Sequence, residues 1–299
     1  MIKEREFLKK YQIDPINICY KNNSKIITAE DGKYTIKVRR NNKDIYNYLR
    51  SHAFNNFLSP LTTIDDPYEI YPYIESESMS NSNDKAVSLV YHLSLLHTKT
   101  TVYEEVNLDK IKDLYEKTSL ELNNLDNYYH DLHDYIENKV YMSPEEYLLI
   151  RNITLIYNAI IFSKKNLKAW YDKKIAMKKE RQVFLHRNPS LKNFIITPEH
   201  HYFINWDNSS LEAPLYDLLT FFKNDYEELE LRSLYNIYQS KYRFTEEEEL
   251  LFFTLLSKPW KLEFTKNHYN NTLQVQKLLD YIVKGSTIAS KEDQEDQET

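Results

Sequence analysis

The chain has 299 residues, 41% apolar and 28% charged, with a net charge of −6 at neutral pH. That length can bury a large core, as one two-lobed unit or as two domains, and the acidic balance argues against a broad nucleic-acid-binding face. No apolar run nears the ~20 residues of a membrane helix. The opening MIKEREFLKK lacks the apolar segment of a secretion signal, and the single cysteine, Cys19, cannot form an internal disulfide. The expectation is a cytoplasmic protein in a reducing setting, with no membrane and no nucleic-acid partner.

Residues 1–13 read as a helix, with Ile2, Phe7, Leu8 and Tyr11 among charges. Ile16 to Tyr20, Lys25 to Thr28 and Tyr34 to Val38 read as strands, with a turn signal at Asp31-Gly32. A small antiparallel sheet follows from these, carrying Lys37. Asn42 to Phe57 reads as a helix, and SESMSNSND (76–84) as a polar linker. Ala86 to His97 is helical, and His97 reads as a structural residue at its end.

Residues 107–180 are strongly helical. Ser143-Pro144-Glu145-Glu146 forms a capping box with Pro at the first helical position. Leu148, Leu149, Ile153, Ile156 and Ile160 then make one buried stripe, and Trp170 and Tyr171 sit on the following helical stretch. Such tyrosine-bearing helices are either half-buried surface or a partner-binding face. Further on, Asp225 to Tyr242 is helical, Thr245 to Glu248 opens a buried helix, and Lys258-Pro259-Trp260 breaks it. A last helix, Asn271 to Val283, should end at Lys284-Gly285, leaving an acidic disordered tail, 287–299.

The stretch 184–218 organises the rest. Apolar runs 183–185, 194–196 and 202–204 read as short strands separated by turns. His186, Asn188 and Asn193 follow the first run, Asn205 and Asp207 follow the third, and Asp217 sits in a helical run beyond. Asn at strand ends is often only a turn former. The spacing, however, resembles the catalytic segment of the aminoglycoside phosphotransferase and choline-kinase-like family. That family carries His-Gly-Asp, four residues, Asn, then Ile-Asp-Trp-Glu and Tyr-Asp-Leu. Here the register reads His186-Arg187-Asn188, Asn193, Ile204-Asn205-Trp206-Asp207 and Tyr216-Asp217-Leu218. Within the family it is most similar to the spore-coat kinase-like proteins of endospore-forming bacteria, which share a His-x-Asn-x-Ser-Leu pattern.

The resemblance implies an α+β, two-lobed protein-kinase-like fold. The small lobe would span residues 1–73. The helical lobe would span 74–286 and hold the catalytic-like segment 184–218. It implies that Asn188 replaces the catalytic aspartate and Asn205 the main metal-binding aspartate. It also implies that Asn193 and Asp207 remain as metal ligands, that Asp217 is structural, and that Lys37 takes the place of a phosphate-contacting lysine. In kinases a glutamate of the following helix pairs with that lysine, yet no glutamate lies between Lys37 and Leu58. An amide cannot accept a proton at neutral pH, and a positioned base is typically worth ~10²–10⁴ in rate. Glycine occurs only at Gly32 and Gly285, so the segment 19–25, where a phosphate-cradling loop would lie, has none. ATP and Mg²⁺ are therefore expected to bind weakly or not at all. Two readings stand: a catalytically degenerate kinase-like protein with protein partners, as in coat assembly, or a small-molecule kinase phosphorylating a hydroxyl.

Overall fold

The computed structural model describes residues 2–21, 24–40, 44–75 and 81–289. In chain order the elements are α1 (Ile2–Lys10), β1 (Asn17–Lys21), β2 (Ser24–Ala29), β3 (Gly32–Val38), α2 (Ile45–Ser51), β4 (Tyr68–Pro72), α3 (Ser82–Thr100), β5 (Val102–Glu105), α4 (Leu108–Glu137) and α5 (Pro144–Lys174). There follow β6 (Lys179–Leu185), β7 (Phe194–Ile196), β8 (His201–Phe203), β9 (Ser210–Glu212), α6 (Leu215–Asp225), α7 (Leu231–Lys241), α8 (Glu246–Ser257) and α9 (His268–Ala289). By its contacts the chain divides into two units, residues 1–81 with 186–210, and residues 82–185 with 211–299.

The first unit is built on an antiparallel sheet in the order β1-β2-β3-β4. Tight hairpins hold its register: Lys21 pairs with Ser24, and Ala29 with Gly32. Gly32 has a φ of 155°, a backbone that suits glycine. Ile27, Ala29, Ile36 and Ile70 make one apolar face, and α1 covers it with Leu8 while Ile13 follows. Helix α2 is shorter than expected: Ala53, at φ 54°, ends it, and the Phe54 N–H returns to the Leu49 carbonyl. That turn buries Phe54 against Phe203 and Trp206. β7 and β8 pair antiparallel, and β8 is fastened to residues 56–58, with the Phe203 N–H donating to the Asn56 carbonyl at 2.9 Å.

The second unit is mostly helical. α5 runs unbroken for 31 residues and carries Trp170 and Tyr171 itself, rather than on a separate helical stretch. Its capping box is present, the Glu146 carboxylate accepting from the Ser143 N–H at 2.9 Å. Tyr129 and Ile136 of α4, Leu149, Ile153, Ile156 and Ile160 of α5, and Val275, Leu278 and Ile282 of α9 form one core. β5 was not anticipated; it pairs with β6 in a three-stranded sheet, order β5-β6-β9. α9 does not stop before Gly285. Ile282, Gly285 and Ile288 are buried on one stripe, so packing carries the helix to Ala289, three residues into the stretch expected as a tail. The remainder, 290–299, lies outside the described residues. His97 is fully buried, its Nε2 3.2 Å from Asp217 Oδ2 and its Nδ1 2.6 Å from the Tyr238 hydroxyl. It thereby ties α3 to α6 and α7. No helix among the described residues is long and apolar enough to cross a membrane.

Candidate active site

The anticipated site residues at 186–207 all lie in the first unit. His186 follows β6 and is buried between Phe203 and Trp206. Its Nε2 donates to the Ile204 carbonyl at 2.9 Å and its Nδ1 accepts the Asn188 N–H at 3.3 Å. The partners thus set the tautomer. Arg187 sits at φ 69°, a conformation that costs a non-glycine residue about 1–3 kcal/mol. Its Nε donates to the Ser210 hydroxyl at 2.9 Å. The strain turns the chain sharply after His186 and exposes Asn188.

Asn193 is buried where a short 3-10 turn, Leu191–Asn193, enters β7. Its Nδ2 donates to the Asn188 backbone carbonyl at 2.9 Å. A carbonyl only accepts, so this bond turns Asn193 Oδ1 the other way. There it meets Asn205 Nδ2 at 2.7 Å. Asn205 follows β8 at φ 65°, in the left-handed region that asparagine tolerates well. Asn193 and Asn205 therefore meet through their side chains, whereas Asn188 joins them only through its backbone.

Lys37, on β3, reaches two carboxylates: Asp207 Oδ1 at 3.0 Å and Glu69 Oε2 at 3.2 Å. Glu69 also binds the Arg39 guanidinium at 3.1 Å. It lies on β4 directly across the ladder from Lys37. The glutamate missing from the helix after β3 is thus replaced by one from the next strand. Tyr71 donates to Glu69 Oε2 at 2.8 Å, and the Tyr46 hydroxyl lies 2.7 Å from that of Tyr71. Burial is the main cause that pushes both phenols well above the usual tyrosine range. Glu69, Tyr71 and Tyr46 escaped the sequence reading. The available signal was one acid in the otherwise apolar and aromatic run Tyr68-Glu69-Ile70-Tyr71, paired in register with a lysine.

Part of the donor set that a magnesium ion would take is already engaged. Mg²⁺ takes hard, charged oxygens, but Asn205 presents an N–H donor to Asn193 Oδ1, and the Asp207 carboxylate is engaged by Lys37. Among the described residues there is no group of three or more His, Cys, Asp or Glu that could hold a metal ion. Asn22 and Asn23, in the segment expected to face nucleotide phosphates, lie outside the described residues. Asp217 belongs to the second unit and is buried against His97.

No family model and no curated protein matches the sequence. Solved structures do. An aminoglycoside phosphotransferase from Alicyclobacillus acidocaldarius is similar over 93% of this chain and 92% of its own, with a TM-score of 0.69 at 12% identity. The AMP-bound complex of spectinomycin phosphotransferase APH(9)-Ia is similar over 97% and 99%, with a TM-score of 0.54 at 15% identity. Its complex with ADP and spectinomycin gives the same TM-score at 14% identity, over 96% and 98%. At these identities the likeness establishes the fold: this chain has an α+β, protein-kinase-like fold.

Proposed function

We propose that this protein is a catalytically degenerate phosphotransferase-fold protein whose role is binding or assembly. The observation that carries the reading is the bond from Asn205 Nδ2 to Asn193 Oδ1 at 2.7 Å. In a metal-dependent site both positions would offer oxygens to a cation. Here an amide N–H stands in for the cation, and the polar groups satisfy each other. Asn188, in place of a general base, cannot accept a hydroxyl proton. Lys37, held by two carboxylates, is already neutralised. The His186-Arg187-Asn188-Pro189-Ser190-Leu191 run supports a protein partner through its similarity to spore-coat kinase-like proteins, and a coat is the setting that similarity favours.

The similar structures hold AMP and ADP, so nucleotide is the ligand to test first. ATP is titrated with and without Mg²⁺ while thermal unfolding is followed. A ligand specific to the native state raises the melting temperature once its concentration exceeds Kd. The expected result is no Mg²⁺-dependent rise at micromolar ATP. A clear one would overturn the reading in favour of an active phosphotransferase that uses Asn193 and Asp207.

A further inference from the structure

Within the second unit a cavity of about 480 Å³ opens between α4, the end of α6, the connection after α8, and α9. That volume falls in the ~300–1,000 Å³ range of small-molecule sites. Local sequence builds its wall. Pro259 ends α8, and the chain from Lys258 to Leu262 crosses over α4, where the hydroxyls of Tyr129 and Tyr128 each donate at 2.5 Å, to the carbonyls of Trp260 and Leu262 respectively. The connection is thus pinned, and it presents Lys258, Trp260 and Lys261 to the cavity.

The lining is electrically incomplete. Lys223, Lys258 and Lys261 face it with one carboxylate, Glu121, which is paired with Lys258. Lys261 rests over the Tyr128 ring at 4.7 Å. Lys223 has no ion pair or hydrogen bond among the described residues. Lys223 is itself exposed, and Lys258 repels its ammonium while Glu121 attracts it. Tyr281, packed on the Trp260 indole at 5.3 Å, is 2% exposed, and its hydroxyl has no hydrogen-bond partner among the described residues. A buried hydroxyl without a partner carries a desolvation cost that a bound acceptor would remove.

We infer that this cavity binds a dianion with a flat apolar body, an aryl phosphate by chemical class. Three ammoniums against one carboxylate leave two positive charges to match, and the exposed Trp260 indole offers a surface for a ring. This site is separate from the amide cluster of the first unit and does not depend on how that cluster is read.

The test uses the full chain and phenyl phosphate as probe, with binding followed by tryptophan fluorescence and by calorimetry. Inorganic phosphate and phenol separate the contributions of charge and ring. The expected result is saturable binding of phenyl phosphate, with each fragment weaker by about tenfold or more. Lys223→Met should lose about tenfold in affinity, and Lys223→Arg should retain it. Binding should strengthen as the probe becomes a dianion above pH ~6. Absence of saturable binding in folded wild-type protein, or equal affinity in a folded Lys223→Met variant, would overturn the assignment. So would equal binding of inorganic phosphate alone, which would mark an adventitious ion only.

Discussion

Asn205 donates its side-chain amide to Asn193 Oδ1 across 2.7 Å, and Asn193 in turn donates to the Asn188 carbonyl at 2.9 Å. The direction of this chain of bonds matters more than its distances, because it turns an N–H of Asn205, rather than an oxygen, toward Asn193 Oδ1. Replacing Asn205 by aspartate would turn the donor into an acceptor. The Asn205→Asp variant should lose about 1 kcal/mol in metal-free buffer and regain it when Mg²⁺ or Mn²⁺ is added. Thermal melts with and without chelator measure this. A variant as stable as wild type and indifferent to metal would contradict the argument.

The wild type should show no ATP turnover with aminoglycosides, choline, sugars or homoserine. Asn188→Asp alone should change little. The Asn188→Asp, Asn205→Asp double variant is the informative one, since residues of one catalytic unit act non-additively. It should gain slight activity at most. Robust phosphorylation by the wild type, abolished by Asn193→Ala or Asp207→Ala, would refute the degenerate reading.

Lys37 should behave as a structural residue. Its side chain is 11% exposed and holds Glu69 and Asp207 together. Lys37→Met would leave two carboxylates without their shared cation, at a cost of about 2–3 kcal/mol. Denaturant unfolding reads this directly. A lysine kept free for phosphate would cost little stability when removed, so an unchanged midpoint would count against the clamp.

Asp66 should make the first unit acid-sensitive. Desolvation alone would raise its carboxyl, but Lys10, Tyr11 and Thr63 bond to the charged form and hold it far below the usual carboxylate range. A carboxyl depressed in the folded state contributes stability above its unfolded pKa of ~3.9, and that stability fades as pH falls below it. Denaturation midpoints taken from pH 5 downward should drop more steeply in wild type than in Asp66→Asn.

Gly285 is open to improvement. A Cβ added there would meet Leu256 Cγ at 3.7 Å, an ordinary contact. Glycine inside a helix costs about 0.5–1 kcal/mol against alanine. Gly285→Ala should therefore raise the melting temperature, and a fall would mean that the α8–α9 contact is tighter than this spacing indicates.

The elements that sequence reading found best were those with local signals. Ser143 with Glu146 and Thr245 with Glu248 announce α5 and α8, and Pro259 announces the end of α8. Spacing also located the strand ends that carry His186, Asn193 and Asn205. What escaped depended on tertiary context. Helix α2 ends early because burying Phe54 favours a left-handed turn at Ala53. β5 is an edge strand whose Tyr103 is 69% exposed, so its sequence lacks an apolar face to read. α9 passes Gly285 because buried neighbours on both sides outweigh a helix-ending residue. Glu69 lies 32 residues after Lys37, and only strand pairing reveals them as partners.

An amide pair has no ionisable proton. Two carboxylates at positions 193 and 205 would repel one another or share a proton, and their bonding would change with acidity. Asn193 and Asn205 keep the same bond from acid to alkali, and added salt has no net charge there to screen. This bond is thus indifferent to the ionic composition around it, unlike the neighbouring Lys37–Asp207 ion pair. That constancy suits a surface that a partner must recognise under changing conditions, and it suits poorly a reaction centre, which works by gaining and losing charge.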